Sequence, residues 1–255
     1  MDPSTQNLHL IPNPVDLKRI CKAYAALEAI LISDQTIRNS RHKKNCDNPT
    51  EENFSYFLGF NIYMEIVFGE QGTCIVGFNY DCDLVDRFED AQKEILRKEE
   101  ELERKKRKWW MFKKFEPKPV WDIFYTVDDL PEEIEKLLKE AEAIIDQTSF
   151  CVWQTQTDTK WQKGRISAPK IELDEDVVDL EDGSSFLLRY FDGDPITVKN
   201  NLSDFVDRDL DLETIEKVVN GEAITKEMAQ ELNPEHQDYE KLKSDLDEIG
   251  FPHQL

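Results

Sequence analysis

Residues 63–78 read Tyr63-Met64-Glu65-Ile66-Val67-Phe68-Gly69-Glu70-Gln71-Gly72-Thr73-Cys74-Ile75-Val76-Gly77-Phe78. Two runs rich in β-branched and aromatic residues flank Gly69-Glu70-Gln71-Gly72, a short stretch bounded by glycine. That pattern predicts a β-hairpin. Upstream, Phe54, Tyr56 and Leu58 alternate with smaller or polar residues and predict another strand. Before them the period changes. Leu17, Ile20, Tyr24, Leu27 and Leu31 recur at spacings of three and four, which predicts a helix over Val15–Ile32. Asn13 suits its N-cap and Pro14 its first position, and Asp16 lies near the positive end of the dipole. Ser33–Glu52 is polar, with Asn, Asp and Pro, and reads as loop.

Downstream of the hairpin, Leu84–Lys108 reads as a charged helix with a thin apolar stripe of Phe88, Ala91, Ile95 and Leu102. The stripe is too narrow for a core helix, so this segment is expected to project from the body or pack along one edge. Glu116-Pro117-Lys118-Pro119 breaks it. Pro131 opens another helix, with Ile134, Leu137, Leu138, Ala141 and Ile145 on one face. Phe150–Gln154 and Lys160–Ile166 read as a second strand pair turning at Thr157-Asp158, and Ser185–Phe191 reads as a last strand. Beyond Asp204 the pattern is short and helical, with one helix ending at Asn220-Gly221 and two more over Thr225–Leu232 and Pro234–Ile249. The expected fold is α+β: an antiparallel sheet of about five strands packed by helices. Residues 1–204 form the body, with a charged helical insertion at about 84–116, and residues 205–255 form an acidic helical module.

Three segments together resemble a widespread group of bacterial proteins of unassigned function. They are the helix from Pro14, then Ile75-Val76-Gly77-Phe78, then Phe150-Cys151-Val152-Trp153-Gln154 with Trp161-Gln162-Lys163-Gly164 and the later Asp192-Gly193-Asp194-Pro195. In that group a helix precedes a sheet carrying a C-[IVL]-W…D-x-x-W-x-x-G hairpin. The resemblance covers about residues 10–35, 54–80 and 120–200, and leaves out the charged helix and the acidic C-terminal helices. It implies a bacterial origin and a single α+β body, and it carries over no catalytic residues. The chain is also similar in style to small acidic proteins of bacterial conflict systems, such as toxin-neutralising immunity proteins.

The 255-residue chain carries a formal charge of −22. Such a charge repels phosphate backbones, so direct nucleic-acid binding is disfavoured. From Ile171 to Ile249 there are 24 Asp or Glu against 7 Lys or Arg, so most of the negative charge sits in the C-terminal third. An acidic face of this kind steers basic partners. The N-terminus lacks a basic-then-apolar signal pattern and no stretch is long and apolar enough to span a membrane, which places the expected protein in the cytoplasm. The cysteines Cys21, Cys46, Cys74, Cys82 and Cys151 are scattered, with no C-x-x-C, and fit neither a disulfide framework nor structural zinc. Cys21, Cys74 and Cys151 read as small buried hydrophobes.

Enzyme motifs are missing: no P-loop, G-x-G-x-x-G, H-E-x-x-H or G-x-S-x-G occurs. His42 and Cys46 stand four apart but in a segment that reads as exposed loop, so no metal or cofactor is expected. Asp192-Gly193-Asp194 resembles a fragment of a calcium loop without its later ligands, and reads as a turn before a helix begun by Pro195. Trp153 and Trp161 are expected to face each other across the second hairpin. Between Arg104 and Lys114 seven positive charges surround Trp109, Trp110, Met111 and Phe112. That segment is open to three readings: internal packing, a lipid surface, or nucleic-acid stacking. The sequence therefore predicts a non-enzymatic protein that occupies a basic protein partner. Asp207, Asp209, Asp211 and Glu213 are its acidic contacts and Trp109, Trp110 and Phe112 its aromatic anchors. The alternatives are a regulatory or scaffold subunit of a bacterial assembly, such as a CRISPR-accessory antiviral defence complex, and an enzyme with an unrecognised carboxylate site.

Overall fold

The computed structural model describes residues 1–44, 50–59, 61–106, 123, 125–143, 147–169, 171–173, 180–235 and 238–255. Helix α1 (Pro14–Leu31) is followed by strands β1 (Ser40–Lys44), β2 (Glu52–Phe57), β3 (Ile62–Gly69) and β4 (Gly72–Asn79), then α2 (Asp83–Lys106). Next come β5 (Thr126–Asp128), α3 (Glu132–Glu140), β6 (Phe150–Thr155), β7 (Gln162–Lys163) and β8 (Arg165–Ser167). The chain closes with α4 (Ser184–Leu188), α5 (Pro195–Val206), α6 (Leu212–Val219), β9 (Ile224–Thr225), α7 (Lys226–Leu232), α8 (Tyr239–Ile249) and β10 (His253–Gln254).

The chain is α+β. Six strands form an antiparallel sheet in the order β1-β2-β3-β4-β6-β7, one more than the five expected. The hairpin at 63–78 forms as read, with Gly69 opposite Gly72. Strand alternation divides its side chains between two faces. Met64, Ile66, Phe68, Ile75, Phe150 and Val152 join the core beneath α1, while Val67, Cys74, Val76, Cys151 and Trp153 pack on Ile134, Leu137 and Leu138 of α3. Each of these fully buried aliphatic side chains contributes about 1.5–3 kcal/mol of burial.

Asn13 caps α1, its side chain accepting from the Val15 and Asp16 amides at 3.1 Å. The helix is buried on nearly every side, including Leu17, Ile20, Tyr24, Leu27 and Ile30. The sheet lies against one side of it, and α5, α6, α7 and α8 contact the rest. Leu210, Ile215, Val218, Leu232, Leu242, Leu246 and Phe251 belong to the same core as α1 and the sheet. The boundary expected at 204/205 falls inside α5.

Four local readings are corrected. Ser185–Phe191 is not a strand but α4 followed by a 3-10 turn, Arg189–Phe191. A continuous apolar run does not reveal its period, and here Leu187, Leu188 and Phe191 point inward together. Phe191 then meets Tyr56, Phe54 and Tyr24 at ring distances of 5.2–5.3 Å.

Within the expected loop at 33–52, Ser40–Lys44 is edge strand β1. Ser40 and His42 point inward while Arg41 and Lys43 point out, so a polar inner face hid the two-residue period. His42 is therefore buried rather than on an exposed loop; Cys46 lies outside the described residues.

The second hairpin has a short return arm. After β7 the chain leaves at Gly164, and β8 pairs with β5 instead. A Cβ at Gly164 would lie 2.3 Å from Val127 Cγ1 and 3.1 Å from Trp153 Cζ3, so only glycine fits that crossing. Finally, the two tryptophans do not pair. Trp153 lies opposite Gln162 and packs toward α3, whereas Trp161 enters the α1 core and its Nε1 donates to the Pro12 carbonyl at 3.0 Å. Asp158 closes the intervening turn by accepting from the Thr155 amide and hydroxyl.

Helix α2 packs its first turns, through Leu84, Val85 and Phe88, against Phe78 and Tyr125. Its far half leaves Leu102 54% exposed and carries ion pairs such as Lys98–Glu94 at 2.8 Å. The part of the expected insertion beyond Lys106 lies outside the described residues up to Ile123. Helix α8 begins at Tyr239, later than expected, where the Asp238 side chain caps it by accepting from the Lys241 amide.

Candidate partner-binding face

Of the four acidic residues expected as contacts, Asp207, Asp209 and Asp211 lie on one exposed turn between α5 and α6, and Glu213 lies in the first turn of α6. Helix α5 starts on Pro195, capped by the Asp194 side chain, as the turn reading of Asp192-Gly193-Asp194 anticipated. It ends on Asp207, whose φ of +49° lies in the left-handed region that Asp tolerates better than most residues. The Arg208 amide then returns to the Ser203 carbonyl at 3.0 Å, and buried Leu210 pins the turn to the core.

Three of the carboxylates have a local structural task. Asp209 pairs with Lys199. Asp211 caps α6 by accepting from the Thr214 amide at 2.7 Å, and that bond holds its carboxyl below the usual range. Glu213 pairs with Lys217 one turn on, at 2.7 Å. Exposed pairs of this kind contribute about 0–1 kcal/mol, so the turn remains a negative surface available to a partner. Trp109, Trp110 and Phe112 lie outside the described residues.

What the sequence reading missed is apolar. Leu31, Ile32, Ile37, Phe205 and Val206, with Ser33 and Asp34, line a groove of about 400 Å³. Ile37 is 61% exposed and Phe205 39%. Asp34, in the groove wall, accepts from the Thr36 amide and hydroxyl; these bonds lower its pKa. Asp204, Asp207 and Asp209 are exposed around the end of α5, with Arg208 among them, while Lys241 reaches the Ser33 carbonyl and Arg38 the Ile32 carbonyl. The available signals were a lone isoleucine in a polar segment and a phenylalanine set between Asp204 and Asp207. Phe205 sits three residues after buried Leu202, so it reads as a continuation of the α5 core stripe.

The groove offers apolar burial and negative charge. Its lining holds no His, Cys or Lys to act as base or nucleophile. Among the described residues no group of three or more His, Cys, Asp or Glu could hold a metal ion, and no helix is long and apolar enough to cross a membrane. The fold is that of an α+β protein, and no protein-family model, curated protein sequence or solved structure matches the chain.

Proposed function

We propose that the chain is a non-enzymatic binding protein that occupies a basic protein partner, in the manner of a toxin-neutralising or inhibitor protein of a bacterial cytoplasm. The observation that carries this reading is the half-exposed Phe205 and Ile37 beside an apolar groove, in a region of the surface dominated by carboxylates. An apolar side chain flanked by lysine or arginine fits such a site. The ring and aliphatic walls would supply the desolvated anchor, and the acids would steer encounter.

Association rates with a partner captured from the source cells test this. Raising salt from low to near-molar should slow association markedly, because exposed charges are screened within about 8 Å at physiological ionic strength. Phe205→Ser and Ile37→Ser should instead speed dissociation, with little salt dependence. A partner that binds both serine variants as it binds the parent, at a rate indifferent to salt, would reject this face.

A second reading makes the chain a regulatory or scaffold subunit of a larger assembly. It is favoured by the exposed far half of α2, with Leu102 open to solvent, and a partner lost on Leu102→Glu but not on Phe205→Ser would select it.

A further inference from the structure

A second cleft, of about 250 Å³, lies between strand β1 and helix α8. Four consecutive residues of β1, Ser40, Arg41, His42 and Lys43, line it, together with Ala25 of α1 and Ile249 of α8. Side chains alternate along a strand. Ser40 and His42 point inward here, and Arg41 and Lys43 point outward. What four such residues present in common to one cleft is their backbone edge. Strand β1 is the last of its sheet: β2 pairs one side of it, and among the described residues no strand pairs the other.

The β1–β2 ladder decides which backbone groups face that open side. The Phe57 amide donates to the Asn39 carbonyl at 2.8 Å, one step beyond the Ser40–Tyr56 register. Bonded positions alternate in an antiparallel pair. Arg41 and Lys43 therefore bond β2, while Ser40, His42 and Lys44 turn their backbone groups away from it. The Ser40 amide agrees with this parity, since it donates to Glu28 Oε2 at 2.8 Å rather than to β2. The amide and carbonyl of His42 and the amide of Lys44 are left on the open side. None of these three has a hydrogen-bond partner among the described residues.

We infer that this edge accepts an extended segment of a partner protein as a further antiparallel strand, with acidic side chains at alternate positions and small apolar ones between them. Strand addition supplies the missing backbone bonds. The partner residue opposite His42 exchanges two bonds with it and turns its own side chain inward, toward Ala25 and Ile249. The residues on either side of it point outward, opposite Arg41 and Lys43. Both cations are exposed, and neither has a carboxylate at ion-pair distance among the described residues. Acids there complete cross-strand ion pairs. Three of the five residues of β1 are cationic, on a chain whose net charge is −22, so this edge selects an occupant of the opposite sign to the one the acidic turn selects. The same cations disfavour a second copy of the chain. Two β1 strands paired antiparallel about His42 would set Arg41 of each against Lys43 of the other, and like charges directly opposite destabilise such a pair.

Fluorescence anisotropy of labelled peptides on the full chain tests the proposal, at an ionic strength of about 0.15 M, where charges beyond about 8 Å are screened. One short peptide alternates Glu and Val, and a neutral counterpart alternates Gln and Val. The Glu peptide should bind saturably and more tightly than the Gln peptide. Arg41→Glu combined with Lys43→Glu, both at exposed positions, should weaken the Glu peptide about tenfold and invert that order, with the Gln peptide little changed. Methylating the Val amides, which face β1 in this pairing, should abolish binding. Methylating the Glu amides, which face away, should not. No saturable binding of the Glu peptide, the same preference after charge reversal, or equal loss from the two methylation patterns overturns the proposal. So does a stable dimer of the parent that protects the His42 amide from hydrogen exchange, because a second copy then fills the edge. Phe205→Ser should leave peptide binding unchanged; a peptide lost on that change has docked in the groove instead, and the edge proposal fails.

Discussion

Ending the chain after Asp207, the residue that closes α5, removes α6, α7 and α8 while leaving every strand of the main sheet in place. The cost to the remainder is the surface it uncovers. Helix α1 is buried on nearly all sides, and the removed helices cover much of what the sheet does not. Uncovering three or four of its large side chains costs about 5–12 kcal/mol, which matches the whole stability of a typical domain, about 5–15 kcal/mol. The truncation also removes Asp245 from the buried guanidinium of Arg38. Stripping one partner from a buried pair costs about 3–5 kcal/mol more. The α1 end loses further ties, among them the Asn233 amide on the Ile30 carbonyl at 2.9 Å and the Arg19 guanidinium on the Val219 carbonyl. The truncated chain should therefore show no cooperative thermal transition by near-ultraviolet circular dichroism and should aggregate or elute as an expanded species. A monomer melting in one sharp step within a few degrees of the full chain would refute this. It would mean that residues 208–255 are an independent module, as their composition alone suggested.

Gly164→Ala should destabilise by about 1–3 kcal/mol, because the new methyl collides with Val127 and Trp153. Adding Val127→Ala should recover part of that loss in urea melts, and a double variant no better than the sum of the singles would reject the clash. Glu28 titrates upward: burial raises its pKa to about 7, against the hydrogen bonds from Ser40. A carboxyl raised above its unfolded value binds its proton more readily when folded, so its contribution is fully present below about pH 4.5 and is lost as pH rises through 7. The parent should lose up to about 3 kcal/mol across that window, and Glu28→Gln, which still accepts from Ser40, should flatten the loss between about pH 4.5 and 7. Glu52 acts in the opposite sense. Burial raises its pKa, but His42, Lys22 and Lys18 together outweigh that and hold it far below normal, so its contribution is lost only in acid, as pH falls below about 4.5.

The sequence showed the fold wherever apolar side chains carried the period. Helix α1 announced itself through Leu17, Ile20, Tyr24 and Leu27, and the β3–β4 hairpin through two aliphatic runs and their bounding glycines. It failed where burial was polar. Strand β1 hides Ser40 and His42, and their partners, Glu28 and Glu52, come from elements 12 and 10 residues away in sequence. A polar residue that is buried because it is paired looks the same in sequence as one that is solvated. The error at 185–191 had a different cause: every residue from Phe186 to Leu188 is apolar, so only tertiary context selects helix. The residues that carry the resemblance to a bacterial hairpin all have structural work here. Asp158 closes the turn, Trp161 ties the hairpin to Pro12, and Gly164 permits a crossing.

The candidate site was half legible for a related reason. Charge is a compositional property and needs no fold to be seen, so the acidic turn at 207–213 could be found from sequence. The groove could not, because Leu31 and Phe205 lie 174 residues apart and meet only once α5 packs beside the end of α1. The structure also changes how the acids must be probed. Asp207 holds a left-handed backbone and Asp211 a helix cap, so alanine at either position removes structure along with charge. Asparagine tolerates the left-handed region and caps helices about as well as aspartate. Asp207→Asn and Asp211→Asn should leave the melting temperature almost unchanged while slowing partner association. Asp211→Ala should cost about 1 kcal/mol of stability whether or not a partner is present. If the asparagine and alanine variants lower stability and association by the same amounts, the carboxylates matter only as caps, and the groove's apolar walls alone are left to explain any docking.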